Sequence, residues 1–95
     1  MFAPALEINS QNSESWNYKG HVFRNSKKYE EAIKAFDKVI EISPNDSLAW
    51  DNKGDLLERL AKYNEAMKVY DKAIEINQQG PLIRYKKEKL SKHIK

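Results

Sequence analysis

Three carboxylates, Asp51, Asp55 and Glu58, follow one another at spacings of four and three residues. Residues at these spacings share one face of an α-helix, so the three side chains would lie close together. A group of this kind suits a metal ion or an acid–base pair. A solvated or partner-binding helix face uses the same pattern more often, because charged residues collect on the outer side of amphipathic helices. We therefore expect no catalytic or metal site here.

The other residue types that perform chemistry are sparse. The two histidines, His21 and His93, are 72 positions apart and lack the spacing of metal ligands. The chain has no cysteine, which excludes a thiol nucleophile, a disulfide and a cysteine-based metal site. It contains neither a glycine-rich phosphate loop nor a G-x-S-x-G turn. We predict that the protein is not an enzyme, and we expect no cofactor and no bound metal; His21 is predicted to lie on an exposed helix face.

Length and composition indicate one helical domain. Ninety-five residues are typical of a single domain, and 33% of them are charged while glycine and proline together number six. No apolar run is long enough to cross a membrane. The first residues lack the basic and apolar regions of a signal peptide. We expect a soluble protein of a reducing compartment, with the cytoplasm as its location and no membrane partner.

A repeat of 34 residues organises the chain. When residues 13–46 are set over residues 47–80, fourteen positions are identical, among them Trp16 with Trp50 and Gly20 with Gly54. The period extends upstream, where residues 2–9 resemble residues 36–43. A fixed period of this length is typical of a solenoid, in which each unit packs only on its neighbours.

Each copy of the repeat predicts two helices. In the first copy, Ser13 is the expected N-cap of a helix, and a second helix covers roughly residues 29–42. The segment 43–46, with its proline, asparagine and aspartate, ends that helix, and Asn45 or Asp46 starts the next one. Glycine costs about 1 kcal/mol relative to alanine inside a helix, so a glycine at the same place in both copies predicts a close approach of two helices.

The pattern W-x3-G-x2-[FL], followed by Y-x2-A-x3-[FY] and closed by Pro44, resembles the tetratricopeptide repeat, or TPR. Two departures stand out. Lys19 and Lys53 occupy a position where the family usually has leucine, and Lys27 and Ala61 occupy one where a turn glycine is common. The resemblance assigns repeat packing to Trp16, Gly20, Tyr29, Ala32, Phe36, Trp50, Gly54, Tyr63, Ala66 and Tyr70.

The resemblance implies an all-α fold, a right-handed superhelical solenoid of helical hairpins with a capping helix at its C-terminal end. We predict one domain, in which residues 1–12 are the tail of a preceding repeat, 13–46 and 47–80 are two full repeats, and 81–95 are the cap. The predicted cap holds six Lys or Arg residues and one Glu, a net charge of +5, whereas residues 1–80 carry −2.

The resemblance also implies a function. TPR arrays line a concave groove with the first helix of each repeat and bind a peptide or helix of another protein there, so we expect a protein–protein interaction scaffold with an unidentified protein or peptide partner. The groove is expected to have an acidic middle and a basic end at the cap. The predicted groove residues are Asn17, His21, Arg24, Asp51, Asn52, Asp55, Glu58, Tyr85, Lys86 and Lys89.

One TPR subgroup grips a C-terminal carboxylate with a set of Lys, Asn and Arg side chains. Asn52 and Lys86 fit that set, whereas Asn17, His21 and Leu82 replace its other three members. Two of five positions do not form this carboxylate clamp, so we do not expect binding of chaperone C-termini of that type.

Two alternatives remain open from the sequence. Residues 1–9 resemble a second helix without its first helix, so the chain could self-associate through them. The basic C-terminal helix could instead bind an acidic partner or nucleic acid, although Tyr85 is its only stacking aromatic. The sequence leaves open the partner, the pathway, the oligomeric state and membership of a longer protein.

Overall fold

Five α-helices make up the part of the chain that the computed structural model describes, residues 12–77 and 81–92. They are α1 (Ser13–Asn25), α2 (Tyr29–Ile42), α3 (Ser47–Arg59), α4 (Tyr63–Ile76) and α5 (Pro81–Ser91). The main contacts join each helix to the next one in sequence, as expected for a solenoid. The predicted all-α fold is confirmed, while the predicted half-repeat over residues 1–9 lies outside the described residues.

Side-chain caps start the first helix of each repeat. The Asn12 side chain accepts a hydrogen bond of 2.8 Å from the backbone N–H of Glu14, so Asn12 is the N-cap and the prediction of Ser13 was wrong by one residue. Asp46 accepts from the backbone N–H groups of Leu48 and Ala49 at 3.1 and 3.3 Å. Both caps satisfy donors that the first helical turn leaves unpaired.

The turns inside the two repeats reach their geometry without glycine. Lys27 and Ala61 have φ angles of 63° and 62°, in the left-handed region. In the first turn the N–H of Lys28 donates to the carbonyl of Phe23 at 2.8 Å, and the N–H of Lys27 donates to that of Arg24 at 2.9 Å. These two bonds define a Schellman motif, which normally has glycine at the left-handed position. The turn after α3 repeats the same pattern around Ala61.

An aromatic ring of each second helix lies against a glycine of the first helix. A Cβ atom on Gly20 would come within 2.7 Å of the Phe36 ring, and one on Gly54 within 2.5 Å of the Tyr70 ring. Both rings are fully buried. Because any side chain at the glycine would collide with the ring, the two glycines set how closely α1 approaches α2 and α3 approaches α4.

The third helix joins two apolar cores. One core contains Phe36 together with Ala49 and Leu56 of α3, and the other contains Tyr70 together with Leu57 of α3. The cap contributes Ile83 and Leu90 to the second core. Neighbouring residues of α3 thus point into different cores, so that α3 couples the two repeats and α5 covers the apolar side of the second.

A periodic ion pair links neighbouring repeats on the surface. Lys53 Nζ lies 2.8 Å from an oxygen of Asp37, and Lys87 pairs with Asp71, so both members recur after 34 residues. This pairing explains lysine at position 53, where the family usually has leucine. Lys19 occupies the same position in the first repeat, where its ammonium group lies 4.5 Å from the centre of the Trp16 ring.

The left-handed turn residues lead to a stability prediction. Lys27→Gly and Ala61→Gly are each expected to raise the free energy of unfolding by roughly 1 kcal/mol, because a side chain in the left-handed region costs about 1–2 kcal/mol and glycine avoids that cost. Urea unfolding monitored by circular dichroism measures the change. Ser26→Gly, at φ −87°, is the matched control and is expected to leave stability unchanged or lower it. Lower stability in both turn variants would contradict the prediction.

Candidate partner-binding groove

The first helices α1, α3 and α5 present equivalent positions on one face, which we call the groove face. Asn17, Asp51 and Tyr85 are equivalent at a spacing of 34 residues. Direct contacts between α3 and α5 show that neighbouring first helices meet on this face. The Lys86 ammonium group lies 3.0 and 3.2 Å from the two oxygens of Asp51 and 3.1 Å from an oxygen of Asp55.

This ion cluster, Asp51–Lys86–Asp55, changes the charge expected in the groove. The sequence placed the two carboxylates in an acidic middle and Lys86 in a separate basic end, whereas the structure brings them into contact. Asp51 is only 8% exposed, and the cluster carries a net charge of −1. Removing one partner of such a pair leaves the other buried without compensation. The cluster therefore holds the cap on the second repeat.

The aromatic ring packed beneath the groove face differs between the repeats. The Tyr70 hydroxyl lies 2.5 Å from an oxygen of Asp55 and 3.1 Å from one of Glu58, so these carboxylates are its hydrogen-bond acceptors. In the first repeat the equivalent ring is Phe36, and His21 packs edge-on against it with 5.3 Å between ring centres. The second repeat thus pairs the phenol of Tyr70 with carboxylates, whereas the first repeat pairs the phenyl ring of Phe36 with the imidazole of His21.

The buried positions shift several ionisation equilibria. Burial, with the hydrogen bond to Asp55, raises the pKa of Tyr70 far above its ordinary value, so the hydroxyl stays protonated. Burial lowers the pKa of His21 and the nearby Arg24 charge lowers it further, which favours the neutral imidazole. Burial alone would lower the pKa of Lys86, but hydrogen bonds to Asp51 and Asp55 outweigh it and the pKa is raised.

The remaining predicted groove residues lie at varied depth. Asn17, Arg24 and Asn52 are half-buried, whereas Lys89 is exposed with its ammonium group 5.6 Å from the centre of the Tyr85 ring. Beside Glu58, at the C-terminal end of α3, a cavity of about 470 Å³ is lined by Asp55, Glu58, Arg59 and Tyr63.

Tyr18 is a groove-face residue that sequence reasoning missed. Its side chain is 71% exposed, and it stands 34 residues before Asn52 and 68 before Lys86, both of which were predicted to line the groove. The repeat register therefore contained the signal. Leu48 and Leu82, equivalent to each other, are also exposed, at 67% and 61%.

The predicted packing residues lie in or beside the two cores. Gly20, Ala32, Phe36, Gly54, Ala66 and Tyr70 are buried. Trp16, Tyr29, Trp50 and Tyr63 are half-buried and pack against the core clusters. Trp50 also donates its indole N–H to the carbonyl of Pro44 at 2.8 Å. This bond ties the start of α3 to the segment between the repeats.

Comparison with known families decides the classification. Two family models, both described as tetratricopeptide repeat, match residues 13–46 and residues 48–79. The chain belongs to the tetratricopeptide repeat family. No curated protein sequence matches the chain.

Solved TPR structures resemble this TPR chain in fold. The first TPR of Spaghetti (RPAP3), bound to the HSP90 peptide SRMEEVD, has a TM-score of 0.84 at 18% identity over 90% of this chain and 68% of that one. The Arabidopsis OM64 TPR domain has a TM-score of 0.84 at 22% identity over 98% of this chain and 77% of that one. YrrB, a TPR protein with an unusual peptide-binding site, gives 0.80 at 19% identity over 94% and 46%.

Within residues 12–77 and 81–92, no group of three or more metal-ligating side chains is arranged to hold a metal ion. The carboxylates at 51, 55 and 58 instead face an ammonium group and a phenol. Among the described helices, none is long and apolar enough to cross a membrane.

The ion cluster leads to a prediction on pH. Burial raises the pKa of Asp51 above its ordinary 3.8, while the hydrogen bond from Lys86 only partly opposes the shift. Asp51 therefore favours the folded state when protonated, and that contribution is lost as the pH rises through its folded-state pKa. We expect the wild type to gain stability relative to Asp51→Asn as the pH falls from neutral into the acidic range. Urea unfolding of both chains across that range measures the difference.

The opposite dependence of stability on pH would contradict this prediction. If the wild type lost stability relative to Asp51→Asn on acidification, the ionised carboxylate would be favoured by folding. The attraction of Lys86 would then outweigh the cost of burying Asp51.

Proposed function

We propose that the chain is a protein-interaction module whose groove face binds a segment of a partner protein. The observation that carries the proposal is that three first helices share one face and that each of them presents an exposed apolar side chain there. Tyr18 on α1, Leu48 on α3 and Tyr85 on α5 are each more than half exposed. Side chains that project from adjacent helices of a rigid stack form an extended surface suited to an extended ligand.

Family membership and the solved neighbours support this reading. TPR repeats are generally interaction modules, and the TPR of Spaghetti was solved with an HSP90 peptide bound. At the identities found, the neighbours establish the shared fold, so the extension to peptide binding by this chain is part of the proposal. The side chains on its own groove face must define what it binds.

The groove argues against the carboxylate clamp as the mode of binding. Of the two residues that fit the clamp, Lys86 is already held by Asp51 and Asp55. A ligand carboxylate that approached Lys86 would meet these two negative charges and would have to displace them. We propose that the chain binds partners by contacts other than capture of a C-terminal carboxylate.

Binding of nucleic acid or an acidic partner through α5 is less well supported. Lys86 and Lys87 form ion pairs with carboxylates of the second repeat, so their charges are partly neutralised. Self-association through residues 1–9 stays a prediction, since those residues lie outside the part of the chain that the structure describes.

Site-specific photo-crosslinking tests the proposal. p-Benzoylphenylalanine replaces Tyr18 on the groove face in one variant and Lys68, exposed on α4, in the control variant. Both chains are irradiated in extract of cells that express the protein. We expect protein adducts from position 18 that are absent at position 68, because the partner segment lies along the first helices. Adducts at position 68 only, or equally at both positions, would contradict the proposal.

A further inference from the structure

Four large apolar side chains project from the groove face and form what we call the apolar strip. Tyr18, Leu48, Leu82 and Tyr85 are 71%, 67%, 61% and 57% exposed. All four lie in the N-terminal halves of α1, α3 and α5. Exposed apolar residues scattered singly are ordinary, but a series of them along one face is typical of an interaction site.

The repeat register places these residues in neighbouring rows. Leu48 and Leu82 are equivalent positions of consecutive repeats. Tyr18 is equivalent to Lys86, which contacts α3 directly through Asp51 and Asp55. The strip therefore crosses the helices instead of following one of them, and each first helix contributes at least one member.

The charge beside the strip is positive at its α5 end. Lys89 is exposed, and its ammonium group lies near the Tyr85 ring. An acidic side chain on a ligand would be favoured at this end.

We propose that the apolar strip binds a partner segment that carries at least two large apolar side chains and an acidic residue at the end over α5. This inference rests on the proposed function and specifies the chemistry of the partner. The apolar side chains of the segment cover Leu48, Leu82 and Tyr85, while its carboxylate pairs with Lys89. Removal of apolar surface from water supplies most of the affinity, and the ion pair sets the direction in which the segment lies.

A random peptide library displayed on phage, selected against the full 95-residue chain, tests the inference. We expect the selected peptides to combine aromatic or large aliphatic residues with Asp or Glu on one side of them. Synthetic versions are then titrated by fluorescence polarisation. The double substitution Leu48→Ser, Leu82→Ser is expected to weaken binding about tenfold or more, since a few buried apolar residues dominate most interfaces.

Matched variants distinguish the effect of the strip on affinity from the effect of a general loss of surface hydrophobicity or charge. Ile42→Ser removes an apolar side chain that is 40% exposed but lies on α2, outside the strip, and is expected to leave affinity unchanged. Lys89→Glu is expected to weaken binding several-fold at low salt and less at high salt, because salt screens an exposed ion pair. Lys68→Glu, on α4, is the charge control and is expected to have no effect.

Amide shifts in ¹H–¹⁵N spectra distinguish failure of this inference from failure of the proposed function. Peptides without apolar residues that still shift groove-face amides would overturn the inference and leave the groove function intact. Peptides that shift only amides of α2 and α4 would overturn both. Enrichment of no peptide would also overturn the inference.

Two other segments could cover the strip, a second copy of the chain or its own N-terminal residues, and each would give a different experimental result. A wild-type dimer that dissociates in the Leu48→Ser, Leu82→Ser variant, measured by light scattering, would assign the strip to a second copy. Amides of residues 1–11 that shift on the same substitution would assign it to the chain's own N-terminal segment. Either result would overturn the inference, since the partner segment requires a free strip.

Discussion

The contact between an aromatic ring and a glycine is the constraint on which both repeats depend. Phe36 covers Gly20 and Tyr70 covers Gly54, at distances that leave no room for a methyl group. Because protein interiors tolerate little excess volume, this contact fixes the distance between the two helices of each repeat. The position of the groove face follows from it, since the same first helices carry the glycines on one side and the exposed residues on the other.

Different chemistry at the same contact distinguishes the two repeats. The Phe36 ring has no polar atom and meets the edge of His21, whereas the Tyr70 hydroxyl reaches two carboxylates of α3. One of those carboxylates, Asp55, also forms an ion pair with Lys86 of the cap. A single hydroxyl group on a core residue is therefore linked, through Asp55, to the attachment of α5. The groove face, the second core and the cap are thus connected through Tyr70, Asp55 and Lys86.

Much of the fold could be predicted from the sequence because the period of 34 residues constrains it. The helix starts at Tyr29 and Tyr63 and the close approach at the two glycines follow from repeated positions. The turns without glycine at Lys27 and Ala61 follow from departure from the TPR pattern. The N-cap at Asn12 was not predicted because Asn12 and Ser13 are adjacent and both are favoured N-cap residues, so the sequence does not distinguish them. Tyr18 was missed although its register with Asn52 was visible.

The interactions between repeats were harder to predict. Lys86 reaches Asp51 and Asp55 across 35 and 31 positions, and no local pattern in the sequence selects these partners. Lys53 and Lys87 recur together with Asp37 and Asp71, yet the period alone does not show that the members of each pair touch. Long, flexible side chains choose partners by their position in three dimensions. The contacts of Lys86, and with them the charge on the groove face, could therefore not be predicted from the sequence.

The central claim, that ring and glycine determine the spacing of the helices, is tested most directly by a double-mutant cycle. The free energy of unfolding is measured for Gly20→Ala, Phe36→Leu and the combination. Helix propensity alone would make Gly20→Ala raise the free energy of unfolding by about 1 kcal/mol. We expect Gly20→Ala instead to destabilise the wild type, by about 1–3 kcal/mol as for an overpacked core, and to be much less harmful in the Phe36→Leu background. A stabilising Gly20→Ala, with effects that simply add, would contradict the account.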